Sequence, residues 1–222
     1  MKNLRNIFAK TLITFSVLFV FASCKKDKDV EKDGNTIDFT KYYITGEYDA
    51  YGTRNSYVFT FGALMKASYY SVGQSISGSY AYTDGNLSIH QSNNVTCNYS
   101  LSNGVITSSS IPGTISYYLQ KIPDADAFAG KNFKGTVATN GLANGKSCLI
   151  KFTTEGKFTV SIDGFGQTGN GAAYTLQNNG VATANTGYEG RLHLMTLADG
   201  KLYYSQSYEG QNTHYFGVLT LQ

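Results

Sequence analysis

The amino-acid sequence predicts an all-β protein built from antiparallel meanders. Apolar and polar residues alternate along many short segments, as in Lys157–Ile162, where Phe158, Val160 and Ile162 share one face of a strand. Turn dipeptides ending in glycine punctuate these segments, for example Asp84–Gly85. The chain contains 18 Tyr and 24 Gly but only 2 Pro and no Trp, a composition that favours short strands joined by tight turns.

Residues 1–23 have the organisation of an export signal. Basic residues Lys2, Arg5 and Lys10 precede an apolar run from Thr11 to Phe21, which is too short to cross a bilayer as a helix. The sequence Phe-Ala-Ser-Cys that ends at Cys24 resembles the lipobox of bacterial lipoproteins, although Phe21 replaces the usual aliphatic residue. The resemblance implies diacylation of Cys24, palmitate included, and anchoring to an outer membrane of the Bacteroidota type. Whether the anchored protein faces the periplasm or the cell surface stays open.

The charge balance of the mature chain excludes one class of partner. Removal of the signal takes away three of the 18 basic residues, so 15 basic face 15 acidic side chains. A chain without basic excess lacks the electrostatic surface that nucleic acid requires. We therefore expect no nucleic-acid partner.

The pattern divides the mature chain into four parts. We predict a lipidated cysteine with a charged, disordered tether over 24–40, a β domain over 41–122, a linker with a turn or two of helix over 123–131, and a second β domain over 132–222. The two β domains repeat in outline, because Gly46 and Gly135 are separated by 89 residues and Phe61 and Phe152 by 91. This spacing indicates an internal duplication.

Each half runs from a glycine-containing opening strand through a Phe-x-Phe segment and a hairpin to a closing strand. This order resembles the small lipocalin-like domains of exported Bacteroidota lipoproteins, with Tyr48 and Val137 standing where those domains usually carry Trp. The resemblance implies two tandem small barrels, closed or nearly closed, and no conserved catalytic set. The alternative architecture is one continuous β-sandwich that shares a single core.

Few residues are suited to metal or redox chemistry. His90 and His193 alternate with leucine or isoleucine, which predicts that both lie on polar faces of their strands, and no metal-ligand spacing occurs. Cys97 and Cys148 either pair in a disulfide, as an exported protein allows, or remain two buried thiols. The run Gly164–Gly169 matches a dinucleotide-binding fingerprint, but no helix follows it, so we predict a long hairpin loop and no cofactor.

Paired tyrosines are the remaining candidate for binding. In a strand, adjacent rings point to opposite faces, so one ring of each pair points outward and could stack against a sugar or a protein. The alternative is ordinary cross-strand packing that supports the sheet. The candidate ligand-binding residues are Tyr69, Tyr70, Tyr117, Tyr118, Tyr203 and Tyr204.

These observations predict a lipid-anchored, non-enzymatic binding module of the cell envelope that recognises a glycan, a peptide or a partner protein. A second hypothesis is a lipocalin-like carrier of a small apolar ligand. A third is an envelope hydrolase with dispersed catalytic carboxylates. The oligomeric state is not fixed by the sequence.

Overall fold

The structure is a computed structural model, and it describes residues 37–50, 52–139, 145–187, 190–209 and 214–222. These residues form an all-β protein with a short 3-10 turn at Phe39–Lys41. The predicted signal, Cys24 and the predicted tether up to residue 36 lie outside the described residues. Residues 37–222 form a single compact unit that holds two sheets.

The first sheet, barrel 1, has eight strands. They are β1 Tyr42–Ala50, β2 Thr53–Phe61, β3 Lys66–Ser71, β4 Gln74–Thr83, β5 Asn86–Gln91, β6 Thr96–Ser102, β7 Val105–Ser109 and β8 Thr114–Lys121. Strands β1 to β7 form an antiparallel meander, and β8 returns to pair with β1. The sheet is therefore nearly closed, with its opening between β7 and β8.

The second sheet, barrel 2, has nine strands. They are β9 Asn132–Thr139, β10 Lys146–Phe152, β11 Lys157–Ile162, β12 Gly166–Ala173, β13 Thr175–Asn178, β14 Val181–Asn185, β15 Arg191–Ala198, β16 Lys201–Tyr208 and β17 His214–Leu221. Its last strand, β17, pairs with its first, β9, and its opening lies between β12 and β13.

Pairing of the first strand with the last is the feature that both sheets share. Gly46 of β1 lies opposite Tyr117 of β8, and Gly135 of β9 lies opposite Leu219 of β17. The fold is thus the predicted pair of tandem antiparallel barrels, and the alternative of one continuous β-sandwich is wrong.

Side chains fill the interior of each barrel. Barrel 1 encloses a buried cluster made of Phe39, Ile44, Tyr57, Phe59, Phe61, Ala67, Leu87, Ile89, Cys97, Tyr99, Leu101 and Ile106. Barrel 2 encloses a second cluster, which includes Phe133, Val137, Cys148, Ile150, Phe152, Phe158, Val160, Ile162, Met195, Leu202 and Tyr204. The alternation predicted for Phe158, Val160 and Ile162 is confirmed, because all three face this interior.

Two boundaries differ from the prediction. The folded unit begins at Ile37, so the predicted tether over 24–40 is wrong for its last residues. Phe39 is the reason, because its ring is buried in barrel 1 against Phe61 and Tyr82. Asp38 supports this turn, since its Oδ1 accepts a hydrogen bond from the backbone N–H of Thr40 at 3.2 Å.

The segment 123–131 contains turns and bends in place of the predicted helical turn. Phe128 in this segment is fully buried in barrel 2. Asp126 holds the segment there, because its Oδ1 accepts the backbone N–H of Phe128 at 2.8 Å and its Oδ2 accepts the Tyr174 hydroxyl at 2.5 Å. The segment is therefore part of barrel 2 and not a free linker.

The glycine-rich run also differs from its prediction. Gly164–Gly169 was predicted to form a long hairpin loop, but only residues 163–165 make the turn and β12 begins at Gly166. No helix follows it, as predicted. Across the described part of the chain, no helix has the length and apolar character needed to cross a membrane.

The close approach of first and last strands yields a stability prediction. A methyl group at Gly135 would lie 2.8 Å from the Val218 carbonyl oxygen, and one at Gly46 would meet the Ser116 carbonyl oxygen. We expect Gly46→Ala and Gly135→Ala each to lower the free energy of unfolding by about 1–3 kcal/mol, measured by urea denaturation.

Gly62→Ala is the matched control, because the nearest atoms to a methyl group there lie 3.9 Å away. It should leave the free energy of unfolding within about 0.5 kcal/mol of the parent value. Equal stabilities for all three variants would contradict the proposed closure.

Candidate functional site

The two barrels pack against each other through their outer faces, and we call this contact the inter-barrel interface. Hydroxyl pairs cross it. Thr45 Oγ1 lies 2.9 Å from Thr196 Oγ1, and Ser56 Oγ lies 2.6 Å from Ser205 Oγ. The hydroxyl of Tyr43 donates to the backbone carbonyl of Leu197 at 2.5 Å. The four Thr and Ser side chains have no exposed surface, so these hydrogen bonds are shielded from water.

Apolar side chains surround these hydroxyls in two clusters. The first consists of Tyr43, Val58, Val181 and Leu194, with Tyr70 and Ile122 packed against it. The second consists of Ala198, Tyr203 and Phe216, with Tyr118 and Val218 packed against it. Each cluster draws residues from both barrels, so outward side chains of both sheets are buried here.

The six candidate tyrosines occupy three different places. Tyr69 and Tyr117 pack against the interior of barrel 1, and Tyr204 is buried inside barrel 2. The outward member of each pair lies at the inter-barrel interface: Tyr70 in the first cluster, and Tyr118 and Tyr203 in the second. The rings of Tyr118 and Tyr203 pack on each other with centroids 5.7 Å apart. The six therefore do not form one stacking surface, because barrel-to-barrel packing covers the outer face.

At one end of the interface the barrels separate and leave an open groove, the inter-barrel groove, of about 460 Å³. Barrel 1 contributes the end of β3 and its hairpin to β4, and barrel 2 contributes β13, β14 and β15. The lining residues are Tyr70, Ser71, Gly73, Gln74, Ser75, Thr175, Gln177, Thr183, Ala184, Asn185, Leu192 and His193.

The groove is uncharged and combines polar groups with a larger area of apolar surface. Its lining holds amide and hydroxyl side chains beside the apolar surfaces of Tyr70 and Leu192, and the lining residues that the structure describes include no Asp, Glu, Lys or Arg. The Gln177 side chain is held in place, because its Nε2 donates to Thr183 Oγ1 at 2.9 Å. Of the lining residues, the sequence analysis proposed only Tyr70 for binding, since the others are residue types that are common in strands and turns.

His193 is buried, which corrects the prediction that it lies on a polar face. Leu192 and Leu194 face outward here, toward the groove and the interface, so His193 points into barrel 2. Its Nδ1 lies 3.0 Å from the Tyr204 hydroxyl, which donates its own proton to Gln206 Oε1 at 2.6 Å. The proton of the neutral ring must therefore be on Nδ1. His90, by contrast, is exposed as predicted.

The other ring nitrogen of His193 lies near a hydroxyl. Nε2 is 3.5 Å from Thr186 Oγ1, the arrangement of a nucleophile and its base. Burial, together with the charge of Arg191, lowers the pKa of His193 to about 3. A ring with that pKa is a poor general base at neutral pH, so this contact does not indicate catalysis.

Cys97 and Cys148 are both free thiols, so the disulfide considered from the sequence is not formed. The reason is topological, because Cys97 lies in the core of barrel 1 and Cys148 in the core of barrel 2. Burial raises the pKa of the Cys148 thiol to about 12. Both cysteines therefore act as small core residues.

A second, smaller opening lies at one end of barrel 1, and we call it the barrel-1 mouth. It has a volume of about 230 Å³ and is lined mainly by apolar and aromatic side chains, Tyr48, Tyr57, Tyr69, Ile76, Val95, Cys97, Ile111 and Pro112 among them. The side chains of Tyr57 and Tyr99 are both buried, and their hydroxyls lie near each other. Burial raises the pKa of Tyr57 to about 12.

Neither metal ligands nor similarity to known proteins indicates a function for the described residues. No group of three or more His, Cys, Asp or Glu residues is placed to hold a metal ion in the parts of the chain that the structure describes. No protein-family model, no curated protein and no solved structure matches the chain. Functional inference therefore depends on the groove and the mouth themselves.

The two buried histidines make stability depend on pH. Burial lowers the pKa of His193 to about 3 and that of His214 to about 4. In the unfolded chain both take up a proton below about pH 6.5, so the unfolded state binds more protons and folding stability falls as pH falls. Urea denaturation at pH 7.5 and pH 5 should show a loss of about 4 kcal/mol, half from each histidine.

His193→Gln should remove about half of this loss, and adding His214→Gln should remove most of the rest. The exposed His90→Gln is the control and should leave the pH dependence unchanged. An unaltered loss in the double variant would show that other groups cause it.

Proposed function

We propose that this chain is a non-enzymatic binding module of the bacterial cell envelope that holds its ligand in the inter-barrel groove. The observation that carries this proposal is a concave, uncharged groove of mixed polar and apolar surface, built jointly by two barrels with filled interiors. Sites for small ligands are concave, with apolar surface and a few placed polar groups. The ligand is a glycan, a peptide or a segment of a partner protein.

The lining of the groove favours binding over hydrolysis. Two carboxyl groups facing each other across a cleft are the usual requirement for glycoside hydrolysis. Among the described residues, neither the lining of the groove nor that of the barrel-1 mouth includes Asp or Glu. The histidine in the lining has its pKa near 3. These features do not favour the hydrolase hypothesis.

Membrane attachment is part of the proposal and is supported by the sequence alone. The basic start, the apolar run and the Phe-Ala-Ser-Cys sequence ending at Cys24 support export and lipidation at an outer membrane. We also propose, from the sequence alone, that the chain is a lipocalin-like lipoprotein, because the order of elements in each half resembles that of such domains.

Replacement of the anchoring thiol tests attachment. In a bacterial host that processes lipoproteins, the Cys24→Ser variant should move from the membrane fraction to the soluble fraction and lose incorporation of labelled palmitate. Cys97→Ser and Cys148→Ser are matched controls that should remain membrane-bound. Cys24→Ser protein that stays in the membrane fraction with its label would refute the anchor.

Obstruction of the groove tests the binding site. Thr175 is an exposed lining residue, so Thr175→Trp should fill the groove without disturbing a core. We expect the parent protein to retain a component of envelope extract or a glycan on an array. Thr175→Trp should retain at least tenfold less of the same ligand.

Thr83→Trp adds the same ring at an exposed position of β4 outside the groove lining and is the control. Retention that is equal in Thr175→Trp and Thr83→Trp would refute the groove as the binding site.

One observation favours a second candidate function, a carrier of a small apolar ligand. The barrel-1 mouth is lined by tyrosine rings and aliphatic side chains, and the buried Tyr57 lies in its wall. Native mass spectrometry of the purified protein would then show a small co-purifying molecule, lost in an Ile76→Trp variant that fills the mouth. An empty parent protein would rule out the carrier.

A further inference from the structure

We infer that the ligand of the inter-barrel groove is a short neutral saccharide of one or two sugar rings; this inference rests on the proposed function of the groove. The volume of the groove, about 460 Å³, falls at the lower end of the range of ~300–1,000 Å³ for small-molecule sites. The choice of a saccharide depends on the charge of the lining, on the distribution of its apolar and polar groups, and on the strand at its edge.

Charge excludes anionic and cationic ligands. A charged ligand is bound by side chains of opposite charge, and the twelve lining residues include no Lys, Arg, Asp or Glu. A charged group of a ligand would find no side chain of opposite charge among these residues, so the groove offers it no compensating interaction. The groove therefore suits a neutral ligand.

Tyr70 and Leu192 provide an apolar surface that suits one face of a sugar ring. Tyr70 is half-buried and packs against the first interface cluster, so its ring is held by neighbours from both barrels. Tyrosine offers a large contact area at low entropic cost because it has two side-chain torsions. A pyranose ring presents C–H groups on its faces, and such a face can stack on an aromatic ring.

Amides and hydroxyls provide the hydrogen bonds that the edge of a sugar needs. Gln74, Gln177 and Asn185 each offer a donor and an acceptor, which matches the neighbouring hydroxyls of a sugar. Gln177 uses one amide hydrogen to bond Thr183 Oγ1, which fixes the group and leaves its carbonyl oxygen and second hydrogen for a ligand. An apolar ligand would leave the remaining hydrogen-bonding capacity of these amides unused.

The strand at the edge of the groove disfavours an extended peptide. A peptide binds a sheet by adding a strand to a free edge, which requires a regular run of unpaired backbone groups. Strand β13 is such an edge, but it has only 4 residues, and its pairing with β14 shifts register between Leu176 and Asn178. A short, irregular edge is a poor template for strand addition.

The groove is held rigid by the contact between the two barrels. The groove is bounded by two barrels whose relative position is fixed by the buried hydroxyl pairs Thr45–Thr196 and Ser56–Ser205. Contact is close at the groove itself, since a methyl group at Gly73 would lie 3.0 Å from Leu192 Cδ1. A preformed groove loses little entropy on binding, which suits the few contacts that a small saccharide makes.

Calorimetric titration tests this inference on the full-length lipidated protein in a detergent without a sugar headgroup. The neutral probes are maltose, cellobiose, lactose and N,N′-diacetylchitobiose, and the anionic comparators are sialyllactose and digalacturonate. We expect saturable binding of at least one neutral disaccharide and at least tenfold weaker binding of both anionic comparators. Tyr70→Ala and Gln177→Ala should each weaken binding about tenfold.

Tyr42→Ala and Gln120→Ala are the matched controls, because both residues lie outside the groove lining. They should leave affinity within twofold of the parent value. Because Tyr70 also supports the inter-barrel interface, the unfolding midpoint of each variant is measured in parallel. Gln177→Ala, which removes no ring, provides the test if Tyr70→Ala unfolds.

Three results would overturn the saccharide: no saturable binding of any neutral probe, equal binding of the anionic comparators, or binding insensitive to Gln177→Ala. If a peptide or protein of the envelope is then retained by the parent and lost in Thr175→Trp, the proposed function of the groove stands and only its ligand class is wrong. If Thr175→Trp has no effect on any ligand, the proposed function fails as well.

Discussion

Burial of outward-facing strand residues at the inter-barrel interface is the constraint on which the rest of the structure depends. Thr45, Ser56, Thr196 and Ser205 are fully buried although each points away from the interior of its own barrel. Buried hydroxyls are stable only when they are hydrogen-bonded, and here each is paired with a hydroxyl of the other barrel.

The same contact creates the candidate site. When the outer faces of β14 to β16 lie against barrel 1, the hairpin between β3 and β4 comes close to β13, β14 and β15, and the space between them is the inter-barrel groove. Filled interiors leave little room for a large ligand inside either barrel. Binding surface is therefore concentrated where the two barrels diverge, and it depends on their fixed relative position.

The sequence pattern predicts the strands and the tight turns well because both depend on local physics. The turns at Asp84–Gly85, Asn103–Gly104 and Asp199–Gly200 have positive φ at both central residues, as a two-residue hairpin turn requires. Asn, Asp and Gly tolerate this conformation best, so the dipeptides identify the turns. The alternation of apolar, inward-facing residues along β11 was predictable as well, because it depends only on neighbouring residues in the strand.

Features that depend on distant contacts were not predictable. In β15 and β16 most residues are buried on both faces, so alternation no longer separates buried from exposed positions. His193 was therefore predicted on the wrong face, and the burial of the outward Tyr203 against barrel 1 was not foreseen. Phe39 and Phe128 lie in short irregular segments that have no period to interpret. The groove joins residues near 70–75 to residues near 175–193, and sequence spacing carries no signal for such a meeting.

The most direct test asks whether the two barrels unfold as one body, using the thiol that each contains. Cys97 reports on barrel 1 and Cys148 on barrel 2, and labelling with a bulky maleimide along a urea series can be measured at each site by peptide mass spectrometry. The account predicts that both thiols become accessible at the same midpoint urea concentration. Although Ser205 belongs to barrel 2, Ser205→Ala should lower this midpoint by the same amount at Cys97 and at Cys148. A midpoint that falls for Cys148 while that of Cys97 stays unchanged would contradict it.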